Sequence, residues 1–177
     1  MRMWPASNMR MRLFLGLPVP VELAASLVKR ALALNLPDVR WTPPENVHLT
    51  LVFLGNVAEE KLESIVLELA ALRPPPLQIR ITGLGTFPRA GVLFADVDPS
   101  RDLLKLQQEA ADRMIRCGFQ LDIRPYHPHI TIGRLRSPAR VAAKLEFSFR
   151  AEVVNLYRSK TLPTGAQYEV IASAKTI

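Results

Sequence analysis

The sequence has one cysteine and three histidines among its 177 residues, and its 16 acidic side chains are outnumbered by 23 lysines and arginines. Cys117 alone cannot form an internal disulfide, and one thiol with three imidazoles is too few for a Cys-rich structural zinc site. A reducing compartment, the cytoplasm, is therefore the expected location. No stretch reaches the roughly eighteen consecutive apolar residues that would span a bilayer, so no membrane association is expected. Arg2, Arg10 and Arg12 ahead of Leu13–Leu17 have the outline of a secretory signal, but Pro18 and Pro20 break the apolar run and Glu22 ends it. A strand is expected there instead, with residues 1–9 as an unstructured leader.

The shortage of acid leaves a net charge of +7 and a pI near 10.1, which suits a polyanionic partner such as nucleic acid without requiring one. With 49% hydrophobic residues the chain can bury one sizeable core, or two small lobes sharing one, and neither disorder nor a fibrous class fits.

Against this background one short pattern occurs twice: Val47-His48-Leu49-Thr50-Leu51 and, 81 residues on, His129-Ile130-Thr131-Ile132. In a strand successive side chains alternate faces. His48 and Thr50 then share one face and Leu49 and Leu51 the other, and the second copy behaves the same way. Two strands with an apolar back and an imidazole-hydroxyl front read as two halves of one site.

The rest of the chain supports a duplication. Arg12–Val19 reads as a buried strand ended by prolines, and Ala24, Leu27, Val28, Ala31 and Leu34 give a helix from Pro20. Pro37, Pro43 and Pro44 mark a loop around Trp41. Gly55-Asn56 is expected to end the first signature strand, with Asn56 and Glu59 as a capping box for a second helix through about Leu72. An extended stretch from Leu77 to Phe87, with Gly83 and Gly85 as bend points, precedes a strand over Gly91–Pro99 and a helix from Ser100 to Cys117. After the second signature the reading is a short helix near Val141–Leu145, a strand over Phe147–Tyr157 and a last strand over Gln167–Ala174. Phe14 to Phe94 spans 80 residues and His48 to His129 spans 81, so one domain of two repeats is expected, about 10–88 and 89–177, with strand exchange between lobes allowed.

Two imidazoles facing each other suit in-line displacement at phosphorus, one taking a proton from the attacking oxygen and the other giving one to the leaving oxygen. Thr50 and Thr131 can hydrogen-bond non-bridging phosphoryl oxygens, and Arg134, five residues after His129, can add a guanidinium. A single His-x-Thr is ordinarily a packed or surface pair; two copies at matched places in a repeat are not. A zinc site from His48, His127 and His129 is the competing reading. Pro128 between two of these residues, and the lack of acidic residues near either signature in sequence, weigh against it. No metal and no cofactor is expected, and His127 is read as a loop residue beside the site.

At these residues the chain resembles the two-histidine phosphoesterases, and within them the RNA 2′,3′-cyclic phosphodiesterases, also called 2′-5′ RNA ligases. The resemblance rests on RLFLGLPVP from Arg12, VRWTPPENVHLTLVFLG ending at Gly55, PYHPHITIGRL around His129 and LYRSKTLPTGAQYEVI near the C-terminus. It implies an α+β, bilobal fold in which two pseudo-symmetric antiparallel β-sheets line a central cleft, with helices outside. It also implies His48 as proton donor to the leaving oxygen, His129 as the acceptor that activates water, and Thr50 and Thr131 on the phosphate. The chemistry of the residues alone leaves open which histidine does which.

The implied activity is hydrolysis of RNA terminal 2′,3′-cyclic phosphate to a 2′-phosphomonoester, with 2′-5′ ligation as its reverse. Such an end exists only where ribose keeps its 2′-oxygen. Cyclic nucleotides, ADP-ribose cyclic phosphate, 2′-5′ oligoadenylate and non-catalytic RNA binding remain as alternatives. Arg134 and some of Arg136, Arg150, Arg158 and Lys160 are expected to attract RNA, Tyr126 and Trp41 are candidates to stack on its terminal base, and a self-contained site makes a monomer the simpler expectation.

Overall fold

The computed structural model describes residues 9–122 and 124–177. The expected leader falls outside these except for Met9, whose carbonyl accepts from the Glu59 amide. Among the described residues no helix is long and apolar enough to cross a membrane.

The apolar run after Arg10 forms β1 (Arg10–Pro18), and the two prolines at its end lead into α1 (Val21–Leu32), which turns Ala24, Leu27 and Ala31 inward. A short strand, β2 (Val39–Trp41), lies in what the sequence suggested was loop. The first signature opens β3 (His48–Ala58), followed by α2 (Leu62–Ala71), β4 (Leu77–Phe87) and β5 (Val92–Val97). Then come α3 (Arg101–Arg116), β6 (His129–Leu135), β7 (Ala142–Ala151), β8 (Val153–Leu162) and β9 (Gly165–Lys175). Ser100 caps α3 by accepting from the Leu103 amide at 3.3 Å.

Three local expectations fail. β3 runs through Gly55-Asn56 to Ala58 because Gly55 takes φ +71 inside the strand, so no capping box forms and α2 starts after a 3-10 turn without a side-chain cap. Where a helix is expected at Val141–Leu145, β7 begins at Ala142. From Val141 to Phe149 every second side chain is turned inward and the residues between are exposed, a period of two that excludes a helix. The strand expected over Phe147–Tyr157 is divided at Glu152 into β7 and β8.

The strands form one nine-stranded sheet in the order β7-β4-β5-β6-β3-β1-β8-β9, with β2 paired to β6, rather than two separate sheets. All the pairings are antiparallel, so the α+β class holds. The seam at the middle is narrow: β3 and β6 share the single pair Leu49↔Ile130. Four strands of the main order lie on each side of the seam, with β2 added on the β6 side, but the boundary near residue 88 does not divide them, because β4 pairs with β5 and β7 while β8 and β9 join β1. Only Glu152 separates β7 from β8, although five strands lie between them in the order. Laid flat these strands would be roughly 29 Å apart at about 4.8 Å per step, whereas one intervening residue bridges about 7 Å. The sheet therefore curls until the end of β7 reaches the start of β8.

Leu49, Leu51, Ile130 and Ile132 join the inward residues of α1, α2 and α3 in one contiguous core. The histidines point the other way.

Candidate active site

Cross-strand partners share a face, so the Leu49↔Ile130 pair puts both apolar backs into the core and His48, Thr50, His129 and Thr131 together on the opposite face. In that antiparallel register His48 falls opposite Thr131, and Thr50 opposite His129. The two halves of the site thus lie side by side across a seam.

Both signature strands carry a bulge at the same place. Leu15 and Gly16 pair with Val52 and Thr50, skipping Leu51; Leu93 and Phe94 pair with Gly133 and Thr131, skipping Ile132. Plain alternation would send a residue five places after the histidine into the core. The skipped residue reverses the phase, so Arg134, opposite Val92, shares the face of Thr131, opposite Phe94. Phe53, opposite Phe14, likewise shares the face of Thr50, opposite Gly16. Phe53 is 50% exposed, and the Arg12 guanidinium sits over its ring at 4.7 Å. Neither Phe53 nor Arg12 was identified from the sequence; the repeated spacing after each histidine was the available signal. The same registers match Gly16, not Phe14, to Phe94.

Each imidazole is held in an aromatic surround. Phe14 stacks on His48 at 4.6 Å between ring centroids, and Tyr168 meets it edge-on at 5.1 Å. A Cβ on Gly16 would lie 3.0 Å from the Leu49 carbonyl oxygen and 3.5 Å from the His48 ring, so glycine leaves room for the imidazole. Phe87 and Phe94, stacked at 4.2 Å, wall His129 with centroids at 5.1 and 5.5 Å. Gly85 makes that wall possible, since its Cβ would come within 2.8 Å of the Phe94 ring.

His48 Nδ1 donates to the Asn46 carbonyl at 2.7 Å and His129 Nδ1 donates to the His127 carbonyl at 2.7 Å. A carbonyl only accepts, so Nδ1 carries a hydrogen in both rings and Nε2 is the atom available for chemistry. Thr50 Oγ1 lies 3.0 Å from His48 Nε2. Both imidazoles are held below the ordinary histidine pKa of 6.5, chiefly by burial. For His48 the Asn46 carbonyl opposes this and the charge of His129 adds to it. For His129 the His127 carbonyl and Asp96 oppose it, while the charges of His127 and Arg134 add to it.

Several expectations need correcting. An acid does stand beside the second signature: Asp96 on β5, paired with His129 in register, accepts from His127 Nε2 at 2.9 Å. Tyr126 is not an open stacking surface, because it is partly buried and its hydroxyl donates to the Thr50 carbonyl at 2.7 Å. Trp41 is partly buried against the core beside Gly133. The basic run does not make one face: Arg150 is on edge strand β7 and pairs with Glu152 at 3.1 Å, whereas Arg158 and Lys160 are on β8, where Lys160 pairs with Glu169 at 2.8 Å. Arg136 follows β6, beyond Arg134.

Residues 19–160 match the 2′-5′ RNA ligase superfamily. The chain is 30% identical over 175 residues to the RNA 2′,3′-cyclic phosphodiesterase of Methanocaldococcus jannaschii, covering 91% of this chain and 98% of that protein. It is 32% identical over 180 residues to the protein of the same name from Thermus thermophilus, covering 91% and 88%. Its fold is similar to that of Escherichia coli LigT complexed with 3′-AMP, with a TM-score of 0.85 at 26% identity over 95% of this chain and 99% of that one. With the match running across most of its length and its relatives covered nearly end to end, the chain belongs to the 2′-5′ RNA ligase superfamily.

Proposed function

We propose that this protein opens RNA terminal 2′,3′-cyclic phosphates to 2′-phosphomonoesters with one histidine as base and a second as acid. The observation that carries the reading is the seam: two imidazoles with matching tautomers and two threonine hydroxyls on one face, flanked by Arg134. The relatives named RNA 2′,3′-cyclic phosphodiesterase support the reaction and its substrate.

In this reaction His129 Nε2 takes a proton from water as its oxygen bonds to phosphorus. The bond from phosphorus to the 3′-oxygen breaks, and His48 Nε2 gives that oxygen a proton, leaving the phosphate on the 2′-oxygen. The direction of transfer follows the family resemblance. Thr50, Thr131 and Arg134 hold the non-bridging oxygens and stabilise charge gathering there. The same steps reversed, with a 5′-hydroxyl in the role of water, form a 2′-5′ linkage. Water at high concentration opposes that direction.

Arg12 and Arg134 are the cations we assign to the RNA strand, and Phe53, rather than Tyr126 or Trp41, is the ring we assign to a base. The chain acts as one domain built from two repeats that have exchanged strands, with its site complete in a monomer. Its single thiol suits the reducing cytoplasm.

The test is turnover, with chelator present, of a short RNA ending in a 2′,3′-cyclic phosphate, beside adenosine 2′,3′-cyclic phosphate, ADP-ribose cyclic phosphate and 2′-5′ oligoadenylate. Formation of a phosphatase-sensitive 2′-monoester, fastest on the RNA end, is expected. Faster turnover of another substrate would reassign the specificity, and binding of RNA without turnover would make the protein a binding module.

A further inference from the structure

Each imidazole rests on a carbonyl two residues upstream, and the side chain of the residue owning that carbonyl is itself tied down. Asn46 is buried, and its Nδ2 donates to the Ala166 carbonyl at 2.7 Å, reaching β9 across 120 positions of sequence. His127 Nε2 donates to Asp96 Oδ1 at 2.9 Å, reaching β5. β9 belongs to the side of the sheet that carries His48, and β5 to the side that carries His129. An amide in one half and an imidazole in the other therefore do the same work at the same offset, each within the half of the histidine it serves.

We propose that Asn46 and His127 are positioning residues for the two-histidine reaction: each anchors the carbonyl that fixes the ring orientation and Nδ1–H tautomer of the histidine two places on. The proposal rests on the functional reading above. Neither side chain need touch the phosphate. With its anchor cut, the upstream carbonyl can turn away from Nδ1, and the imidazole is then free to swing or to place its hydrogen on Nε2, where it could no longer accept a proton from water. Misplacing a reacting group by about 1 Å costs up to roughly 100-fold in rate.

The two anchors differ in one respect. Asn46 is neutral and enclosed. His127 and Asp96 are about half exposed, with side-chain exposures of 52% and 45%, and they bring charge to a site already facing His48, His129 and Arg134. Asp96 thus acts twice, as the acceptor that holds His127 and as a negative charge near His129. An Asp96→Asn substitution keeps an acceptor oxygen and removes the charge. It should shift the part of the pH profile belonging to His129 toward lower pH, because protonated His129 loses a favourable neighbour.

The experiment compares kcat, KM and imidazole nitrogen NMR spectra for the native protein, His127→Ala, His127→Gln and Asn46→Ala. His127→Ala should lower kcat by about 10- to 100-fold with KM within about threefold, and should move or broaden the His129 Nδ1–H signal. His127→Gln, whose amide can still donate to Asp96, should recover most of the rate and the native signal. Asn46→Ala should do the same to His48 and leave the His129 signal in place.

An unchanged kcat and an unchanged Nδ1–H signal in His127→Ala would overturn the proposal. So would a raised KM at native kcat, which would make His127 a substrate contact, or a Gln variant no better than Ala. His127 is exposed, so its variants test the idea even if loss of the buried Asn46 prevents folding. The NMR arm needs no substrate. If the native protein turns over no cyclic phosphate, the functional reading fails while the anchoring is still decided by the tautomer signals.

Discussion

Tyr126→Phe removes one oxygen atom and keeps the ring, and it isolates a single tie between the two halves of the site. The hydroxyl precedes the second signature and donates to the Thr50 carbonyl of the first at 2.7 Å. β3 and β6 share only Leu49↔Ile130 directly, with β2 adding its own pairs to β6. The bond is enclosed, since burial pushes the phenol well above its usual range. Losing such a hydrogen bond and leaving the carbonyl short of a donor costs about 1–2 kcal/mol. In a domain of this size each kcal/mol moves Tm by about 2–4 °C, so a fall of roughly 2–8 °C is expected.

The effect should not stop at stability. Thr50 Oγ1 is 3.0 Å from His48 Nε2, so a shift of the Thr50 backbone moves the hydroxyl meant for the phosphate and the ring beside it. A several-fold fall in kcat should accompany the lower Tm, with KM near the native value because Arg134 and Phe53 are untouched. Calorimetry with steady-state hydrolysis of an RNA cyclic phosphate measures both. A Tm within about 1 °C of native with unaltered kcat would refute the reasoning, since it would mean that the β2 and β3 pairings align the halves without this bond.

Arg134→Lys keeps the charge but loses the planar fork, and should lower kcat/KM about tenfold while retaining salt dependence; Arg134→Ala should lower it further and flatten the dependence of KM on salt. Steady-state rates across a salt series check this. Phe53→Ala should raise KM for RNA ends about tenfold at constant kcat, the loss of one base stack, and Phe53→Tyr should restore it. An unchanged KM would remove Phe53 from the substrate path. Stability should also depend on pH. His48 and His129 are kept neutral by burial, so the unfolded chain binds protons more readily, and stability should fall as pH drops below 6.5 toward the lower folded values. Urea midpoints between pH 7.5 and 5 measure this, and a midpoint that rises on acidification would contradict it.

What the sequence made legible was local. The His-x-Thr phase holds because it depends on two adjacent residues of one strand, and β4 spans Leu77–Phe87 as expected because prolines stop the chain before it. Ser100 announces α3 through its own side chain. The misses need a partner strand to explain them. Arg134 reaches the site face only because β6 skips Ile132 against β5, and an unpaired reading of alternation would bury it. Asp96 lies 31 residues from His127 and becomes its neighbour only through the β5–β6 register. The basic run looked continuous in the chain, but its residues fall on β6, β7 and β8, which the sheet order separates. Val141–Leu145 is the exception: its alternation of Val141, Ala143 and Leu145 with Ala142 and Lys144 is present in the sequence.

Paired acid-base work, His129 on water and His48 on the 3′-oxygen, is read from kcat/KM against pH on an RNA 2′,3′-cyclic phosphate end with chelator present. This quantity reports the free protein, and the productive form carries one proton beyond the two Nδ1 hydrogens, so one imidazole is charged and the other neutral. Because both are held below 6.5, a bell is expected whose two apparent pKa values lie on the acid side of that figure, lost in both His48→Ala and His129→Ala. A profile with one limb, a bell centred above neutrality, or activity that appears only when a divalent metal is restored would contradict it.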